Sequence, residues 1–270
     1  MIYQGKIYDY HLHSSFSMDA CSRLEEICRQ AEKKGAAGFM LTDHIEYDNS
    51  SGGEYNFDHA AYAEALAAAA KKFPNLELGG GVELGLQEHL KARCLAAVNG
   101  HNWDFVLGSV HIVKGRSVYD GAFSRGKSRE EAYRAYLEEV YRIVCAMPFF
   151  DVLAHLDLIR RDERFADRSL VWREFPDQLD AILRKLVETG VGLELNTASW
   201  RYGLDSPHPD ESVLRRYREL GGEIITCGSD SHEPSTVCYK LREGYQILKE
   251  AWFRYVSTFR QRRLRQVPLE

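Results

Sequence analysis

The sequence predicts an α/β fold built on a parallel sheet or barrel. Short apolar segments of strand length alternate with longer amphipathic segments, and the alternation repeats seven times. No Pro-, Ser- or Gly-rich linker and no shift in composition interrupts the pattern, so residues 1–270 are predicted to form a single domain. A chain of 270 residues is long enough to bury a substantial core.

The predicted strands are apolar runs rich in β-branched or aromatic residues. They are Ile7–Tyr10, Gly38–Thr42, Leu76–Leu84, Phe105–Gly108, Phe149–Ala154, Val191–Leu195 and Glu223–Cys227.

The segments between the strands carry helix signals. Ser22 and Glu25 have the spacing of a capping box, and Gly35 stands where that helix would end. Pro209 suits the first turn of a later helix. The further predicted helices are Asp58–Lys72, Ser128–Cys145, Pro176–Thr189, Pro209–Leu220 and Ser235–Ala251. Trp252–Phe259 partly alternates and is ambiguous.

Composition gives no sign of a nucleic-acid-binding surface or of a membrane span. The net charge of −5 gives no overall basic surface for nucleic acid, and the run Arg260, Arg262, Arg263, Arg265 is interpreted as a solvated face. No apolar run approaches the ~20 residues that span a bilayer, and no signal peptide is evident. The six cysteines include no CxxC pair, which favours reduced thiols and a cytoplasmic location.

Most of the histidines lie at the C-terminal ends of predicted strands. Four others, His59, His89, His101 and His208, fall in predicted helices or loops and are assigned ordinary surface or core roles. The C-terminal ends of barrel strands are where active sites are found. At or just beyond those ends lie His11, His13, His44, Glu83, His111, His155, Asp230 and His232.

The local patterns indicate metal ligands. His11 and His13 are two apart on a strand, so both imidazoles point to one face. Asp19 follows in a polar loop and is either a ligand or a turn residue. Glu83 interrupts an apolar strand, where an unpaired carboxylate would be costly. It is interpreted as a bridge between two cations or, alternatively, as a salt-bridged structural glutamate.

Two further motifs extend the ligand set. Asp43, in Thr42-Asp43-His44, is expected to orient a ligand histidine. The Asp230-Ser-His232 motif pairs a hard oxygen with an imidazole, a combination suited to zinc, iron or manganese. Nine candidate ligands exceed the four that one zinc ion takes, so two or three metal ions are predicted.

In this order, HLH…D, TDH, the strand glutamate, GSVH, AH and GSDSH resemble the polymerase-and-histidinol-phosphatase (PHP) superfamily. The resemblance implies a distorted seven-stranded β/α barrel and a metal-dependent phosphoesterase with up to three clustered ions. Many relatives carry histidine at the position of Asp19. The family's ligand positions fall on His11, His13, Asp19, His44, Glu83, His111, His155, Asp230 and His232.

The resemblance also implies which ligands share an ion. Glu83 would bridge two ions. Two histidines and an aspartate would complete the ligands of the first ion, and two further histidines those of the second. These sets are His11, His13 and Asp230 for one ion, His111 and His155 for the other, and Asp19, His44 and His232 for a third. Glu83, Asp230 and His232 are assigned the catalytic roles.

Two segments resemble the histidinol-phosphatase branch. They are Glu194-Leu-Asn-Thr followed by Arg201, and His155-Leu-Asp-Leu-Ile-Arg160. The resemblance implies an L-histidinol-phosphate phosphatase of histidine synthesis. Arg160 and Arg201 follow strands and are predicted to bind the substrate phosphate, with Lys114 as a weaker candidate.

One loop departs from the family pattern. After GSVH the chain reads Ile-Val-Lys-Gly-Arg-Ser-Val-Tyr, and the altered part, Lys114–Tyr119, leaves the exact substrate open. The alternatives are a phosphatase for another small phosphate ester, a nuclease, or a non-catalytic metal-binding module. Degraded ligands would favour the module, and all nine positions are filled.

Overall fold

A computed structural model describes residues 2–49 and 53–270. In the described residues the strands are β1 Tyr8–Leu12, β2 Gly38–Leu41, β3 His44–Ile45, β4 Glu77–Gly85, β5 Phe105–Ser109, β6 Ile112–Val113, β7 Arg116–Ser117, β8 Val152–Leu153, β9 Gly192–Asn196, β10 Ile225–Gly228, β11 Tyr255–Arg260 and β12 Arg263–Pro268. The α-helices are α1 Leu24–Lys33, α2 His59–Lys72, α3 Lys91–Asn99, α4 Arg129–Ala146, α5 Pro176–Thr189, α6 Glu211–Glu219 and α7 Leu241–Glu250.

The main sheet is parallel and nearly closes into a barrel. Its order within the described chain is β1-β2-β4-β5-β8-β9-β10, with β3 pairing beside β4. The segment after β10 hydrogen-bonds back to β1, because Asp230 N donates to His11 O at 2.6 Å and His13 N donates to Ser231 O at 2.7 Å. These contacts confirm the predicted distorted seven-stranded α/β barrel.

The ambiguous C-terminal segment forms an antiparallel hairpin, β11–β12, across the N-terminal ends of the strands. Phe259 packs on Phe105 inside the barrel, with ring centroids 5.1 Å apart. Arg260 pairs with Asp104 before β5, and Arg262 pairs with Asp151 before β8. The start of the arginine run is therefore structural, and the hairpin lies at the end of the barrel opposite the histidines.

The helices differ from the prediction mainly at their ends. Helix α1 begins one residue later than expected, because Glu26 accepts from Arg23 N at 3.0 Å and Ser22 does not cap it. Asp210 caps α6, so Pro209 precedes that helix. Helix α3 was not predicted. Within the described residues, no helix has the length and apolar character needed to cross a membrane.

Candidate metal centre

The nine candidate ligands meet at the C-terminal end of the barrel. His11 lies on β1 and Glu83 on β4, and both are almost fully buried. Asp19 is the most exposed of the nine, in the loop after β1. The other ligands follow strand ends and reach the same place: His13, His44, His111, His155, Asp230 and His232.

Glu83 occupies the middle of the cluster, and its two oxygens face different histidines. Oε1 lies 3.2 Å from His111 Nε2 and 3.0 Å from His155 Nε2. Oε2 faces three other imidazole nitrogens at 3.1–3.4 Å: His11 Nε2, His13 Nε2 and His44 Nδ1. This two-sided arrangement is what a carboxylate that bridges two ions requires.

Two aspartates complete the donor sets at the edges of the cluster. Asp230 Oδ1 lies 3.6 Å from His11 Nε2 and 3.5 Å from His13 Nε2. Asp19 Oδ2 lies 3.4 Å from His44 Nε2 and 3.6 Å from His232 Nε2. His44 contacts both Asp19 and Glu83, so the contacts are compatible with the three sets that the family resemblance implies, and the division of ligands among the ions stays a prediction.

The buried ligand atoms are better satisfied by divalent metal ions than by hydrogen bonds to one another. His11 Nε2, His13 Nε2 and Glu83 Oε2 are buried and have no hydrogen-bond partner among the described residues. Leaving such atoms unsatisfied costs about 1–3 kcal/mol each. Imidazole nitrogens and carboxylate oxygens converging at this spacing are the ligand types of zinc, iron and manganese.

Charge interactions within the cluster are strong. Burial raises the pKa of Glu83, but the neighbouring histidines outweigh this and hold the pKa well below its usual range. Burial lowers the pKa of His44 and His111, yet Glu83 more than compensates and raises both to about 10. Protons therefore compete with metal ions for these nitrogens, since a histidine ligand must be neutral.

Two carboxylates outside the ligand set orient ligand histidines. Glu194 Oε1 lies 2.7 Å from His11 Nδ1, and Glu46 Oε2 lies 2.8 Å from His111 Nδ1. Carboxylates placed in this way hold Nδ1 protonated and turn Nε2 toward the cluster. A Cβ on Gly85 would collide with the Glu46 carboxyl group, so Glu46 can hold this position only beside a glycine.

The sequence did not identify Glu46, although an acidic residue in the apolar segment after His44 was a signal for it. Asp43, which was expected to orient a histidine, instead accepts hydrogen bonds from the backbone and side chains of Ser14 and Ser17 at 2.7–3.0 Å. Ser17 Oγ in turn lies 3.3 Å from His13 Nδ1 and accepts from His44 N at 3.0 Å. Asp43 therefore anchors the loop after β1.

The structure places Arg160 away from the cluster. Its side chain is buried, and Nη1 donates to Asp157 Oδ2 and to Pro207 O, both at 2.8 Å. Nε and Nη2 donate to Arg168 O and Ser206 Oγ. Each guanidinium nitrogen is engaged by protein acceptors, which indicates a structural role, and the phosphate role of Arg160 stays a prediction that no contact supports.

The other two predicted phosphate ligands also lie outside the cavity lining. Arg201 donates to Ser229 O and Asp230 O, both at 2.7 Å, and so holds the loop that carries Asp230. Lys114 lies exposed in the turn between β6 and β7. Neither Arg201 nor Lys114 therefore contacts the cavity lining, and the phosphate role of both residues stays a prediction.

Among the described residues, Arg161 is the arginine that lines the cavity beside the cluster. The cavity has a volume of about 160 Å³, and Tyr55, Tyr119 and Tyr202 also line it. Arg161 Nη2 lies 2.6 Å from Asp230 Oδ2, and its guanidinium carbon lies 4.4 Å from the centre of the Tyr202 ring. The sequence did not identify Arg161, because position and family resemblance both favoured its neighbour Arg160. The orientation of a short 3₁₀ turn decides which of the two side chains reaches the cavity.

Comparisons with known proteins agree with this geometry. Two relatives are named as probable histidinol-phosphatases. The one from Clostridium acetobutylicum is 28% identical and covers 89% of this chain and 92% of its own. The one from Thermotoga maritima is 30% identical and covers 92% and 94%.

The crystal structure of histidinol phosphate phosphatase from Lactococcus lactis, complexed with zinc, L-histidinol and phosphate, superposes with a TM-score of 0.89 at 26% identity. The match covers 96% of this chain and 99% of that one. The model of the PHP domain family matches residues 9–198. The chain belongs to the PHP domain family.

Proposed function

We propose that the protein is an L-histidinol-phosphate phosphatase, which hydrolyses histidinol phosphate to histidinol and phosphate in histidine biosynthesis. The observation that carries the proposal is the convergence of Glu83 and eight other candidate ligands at one end of the barrel, in a chain similar over 96% of its length to the Lactococcus lactis enzyme. Residues 1–270 then act as one phosphatase domain, and the cytoplasmic location stays a prediction.

Two to three divalent ions, zinc, iron or manganese, fit the donor sets. The sets are Glu83 with His11, His13 and Asp230, Glu83 with His111 and His155, and Asp19 with His44 and His232. Such ions act as Lewis acids on a phosphoryl group and allow water to act as a nucleophile at neutral pH.

The protein's own groups bind and orient the phosphate. Arg161 borders the cavity, and its guanidinium group can donate a charge-assisted hydrogen bond to a phosphate oxygen. Asp230 stands between Arg161 and His11, so it is placed to take a proton from the attacking water. The proton that the leaving alcohol needs would come from Asp230 or from a water held by the metal ions. His232, beside Asp230, holds the third donor set together with Asp19.

The lining of the cavity suits a leaving alcohol that carries an aromatic ring. Tyr55, Tyr119 and Tyr202 border it, and aromatic rings of this kind pack well against an imidazole. Tyr119 ends the loop that departs from the family pattern. The departure of this loop keeps the second candidate, a phosphatase for another small phosphate ester, because it changes the surface that the organic part of the substrate would meet.

A substrate panel tests the proposal. Phosphate release is measured from L-histidinol phosphate, sugar phosphates, nucleotides and p-nitrophenyl phosphate, after reconstitution with zinc, manganese or iron. We expect the highest kcat/KM with histidinol phosphate. Hydrolysis of another monoester but not of histidinol phosphate would overturn the substrate assignment alone. No hydrolysis of any ester by protein that has bound metal would overturn the phosphatase function.

A further inference from the structure

His208 is a fully buried histidine outside the metal cluster, and it lies between a carboxylate and the arginine of the cavity. Its Nδ1 is 2.7 Å from Asp157 Oδ1, and Arg161 Nε donates to its Nε2 at 3.4 Å. A carboxylate accepts only, so the hydrogen of the neutral ring resides on Nδ1. Nε2 then carries no hydrogen, and its lone pair can accept the hydrogen bond from Arg161.

Burial supports this protonation state. It lowers the pKa of His208 to about 4, and the opposing effect of Asp157 does not restore the usual value. The imidazole is therefore neutral around pH 7 and acts as an acceptor toward Arg161.

The backbone and Arg160 fix the position of this histidine. His208 N donates to Asn196 O at 3.0 Å, and Asn196 N donates to His208 O at 2.6 Å, which ties the segment to the end of β9. Arg160 Nη1 binds both Pro207 O and Asp157 Oδ2 at 2.8 Å. The histidine and its carboxylate thus belong to one rigid unit joined to the barrel.

Arg161 is consequently held on three sides. Nε contacts His208, Nη2 pairs with Asp230, and the guanidinium face lies over Tyr202. Nη1 has no hydrogen-bond partner in the part of the chain that the structure describes, and Arg161 borders the cavity. This nitrogen is the group that remains to bind an oxyanion.

We propose that His208, oriented by Asp157, is a positioning residue that aims the Arg161 guanidinium group at the phosphate of the substrate. The inference rests on the proposed phosphatase function and adds to it a residue that touches neither metal nor substrate. A long arginine side chain has several rotamers, and fixing it in advance reduces the entropy lost when phosphate binds.

Two substitutions at His208 separate its contacts. In His208→Asn the side-chain amide nitrogen replaces Nδ1 and still donates to Asp157, but the acceptor for Arg161 is lost. In His208→Gln the longer side chain places an oxygen near the former Nε2 and can accept from Arg161. We expect His208→Asn to weaken phosphate binding about tenfold, the effect of one hydrogen bond to a charged group, and His208→Gln to recover most of the loss.

A third substitution, Asp157→Asn, reverses the tautomer without changing His208. Arg160 needs an oxygen as its acceptor, so the amide nitrogen of Asn would face His208 Nδ1 and donate to it. The ring hydrogen would then move to Nε2, which could no longer accept from Arg161. The expected loss in phosphate affinity is again about tenfold, by the same hydrogen bond.

Calorimetric binding of inorganic phosphate to the zinc-loaded protein is the measurement, with metal content determined on each sample and exposed His101→Asn as the matched control. In an Arg161→Lys background, which lacks Nε in that place, His208→Asn should cause no further loss. Wild-type affinity in both His208→Asn and Asp157→Asn, or loss of metal together with phosphate, would overturn the inference. Absence of phosphate binding by wild type would instead overturn the proposed function.

Discussion

Replacing Glu83 by glutamine removes one charge at almost constant volume in the middle of the cluster. The two carboxylate oxygens lie 3.0–3.4 Å from five imidazole nitrogens. Glutamine keeps one carbonyl oxygen and puts an NH₂ group, which cannot bind a cation, at the other position. One of the two donor sets therefore loses its shared ligand.

The expected effect on catalysis is large. Metal ions supply several kcal/mol of transition-state stabilisation in phosphoryl transfer. A loss of about 4 kcal/mol corresponds to a fall in kcat/KM of about a thousandfold, at 1.36 kcal/mol for each factor of ten. We expect Glu83→Gln to lose at least this much activity and to bind at least one ion fewer than the wild type.

Elemental analysis and steady-state kinetics on the same samples test this prediction. Glu88→Gln, on an exposed residue just after β4, is the matched control and should change neither quantity. His59→Ala and His101→Ala should likewise retain their metal. Near-normal turnover in Glu83→Gln with full metal content would refute the bridging role and would leave Glu83 as a salt-bridged structural residue.

Three further predictions follow from the groups around the cluster. Glu46→Gln and Glu194→Gln should weaken metal binding about 10- to 100-fold while leaving the ligand set intact, measured by competition with a chelating dye; unchanged affinity would argue against their orienting role. Arg161→Ala should lower kcat/KM about ten- to a hundredfold, the effect of a lost hydrogen bond to a charged group; an equal loss in Arg201→Ala at unchanged metal content would return the phosphate role to Arg201. The folded-state pKa of His208, about 4, lies below its usual 6.5, so its contribution to stability is complete above pH 6.5 and is lost as the pH falls toward 4. The free energy of unfolding of the wild type should fall by about 2 kcal/mol more than that of His208→Asn between pH 7 and pH 5, and parallel pH profiles in denaturant titrations would contradict this.

The strands and the convergence of the candidate ligands were predictable because both follow from local patterns combined with the parallel topology. His11 and His13 share a face through the period of two along a strand, and the parallel topology brings distant strand ends such as those of β4 and β8 to one edge. Glu83 could be identified because a lone carboxylate in an apolar strand requires a partner.

The groups that support the ligands could not be predicted in the same way. Glu194 contacts His11 across 183 residues of sequence, so no local pattern specifies the pair. The choice between Arg160 and Arg161 depends on how a 3₁₀ turn of four residues is oriented, and neither residue's type reveals it. Asp43 was assigned to a histidine because it precedes His44, whereas its carboxylate turns toward the serines of the loop after β1.

The position of the metal ions tests the central claim most directly. Crystals of the zinc-loaded protein, measured on both sides of the zinc absorption edge, would locate each ion by its anomalous scattering. The account predicts one ion on either side of Glu83 and, where the third set is filled, an ion between Asp19, His44 and His232. A single ion, or zinc bound without contact to Glu83, would contradict it.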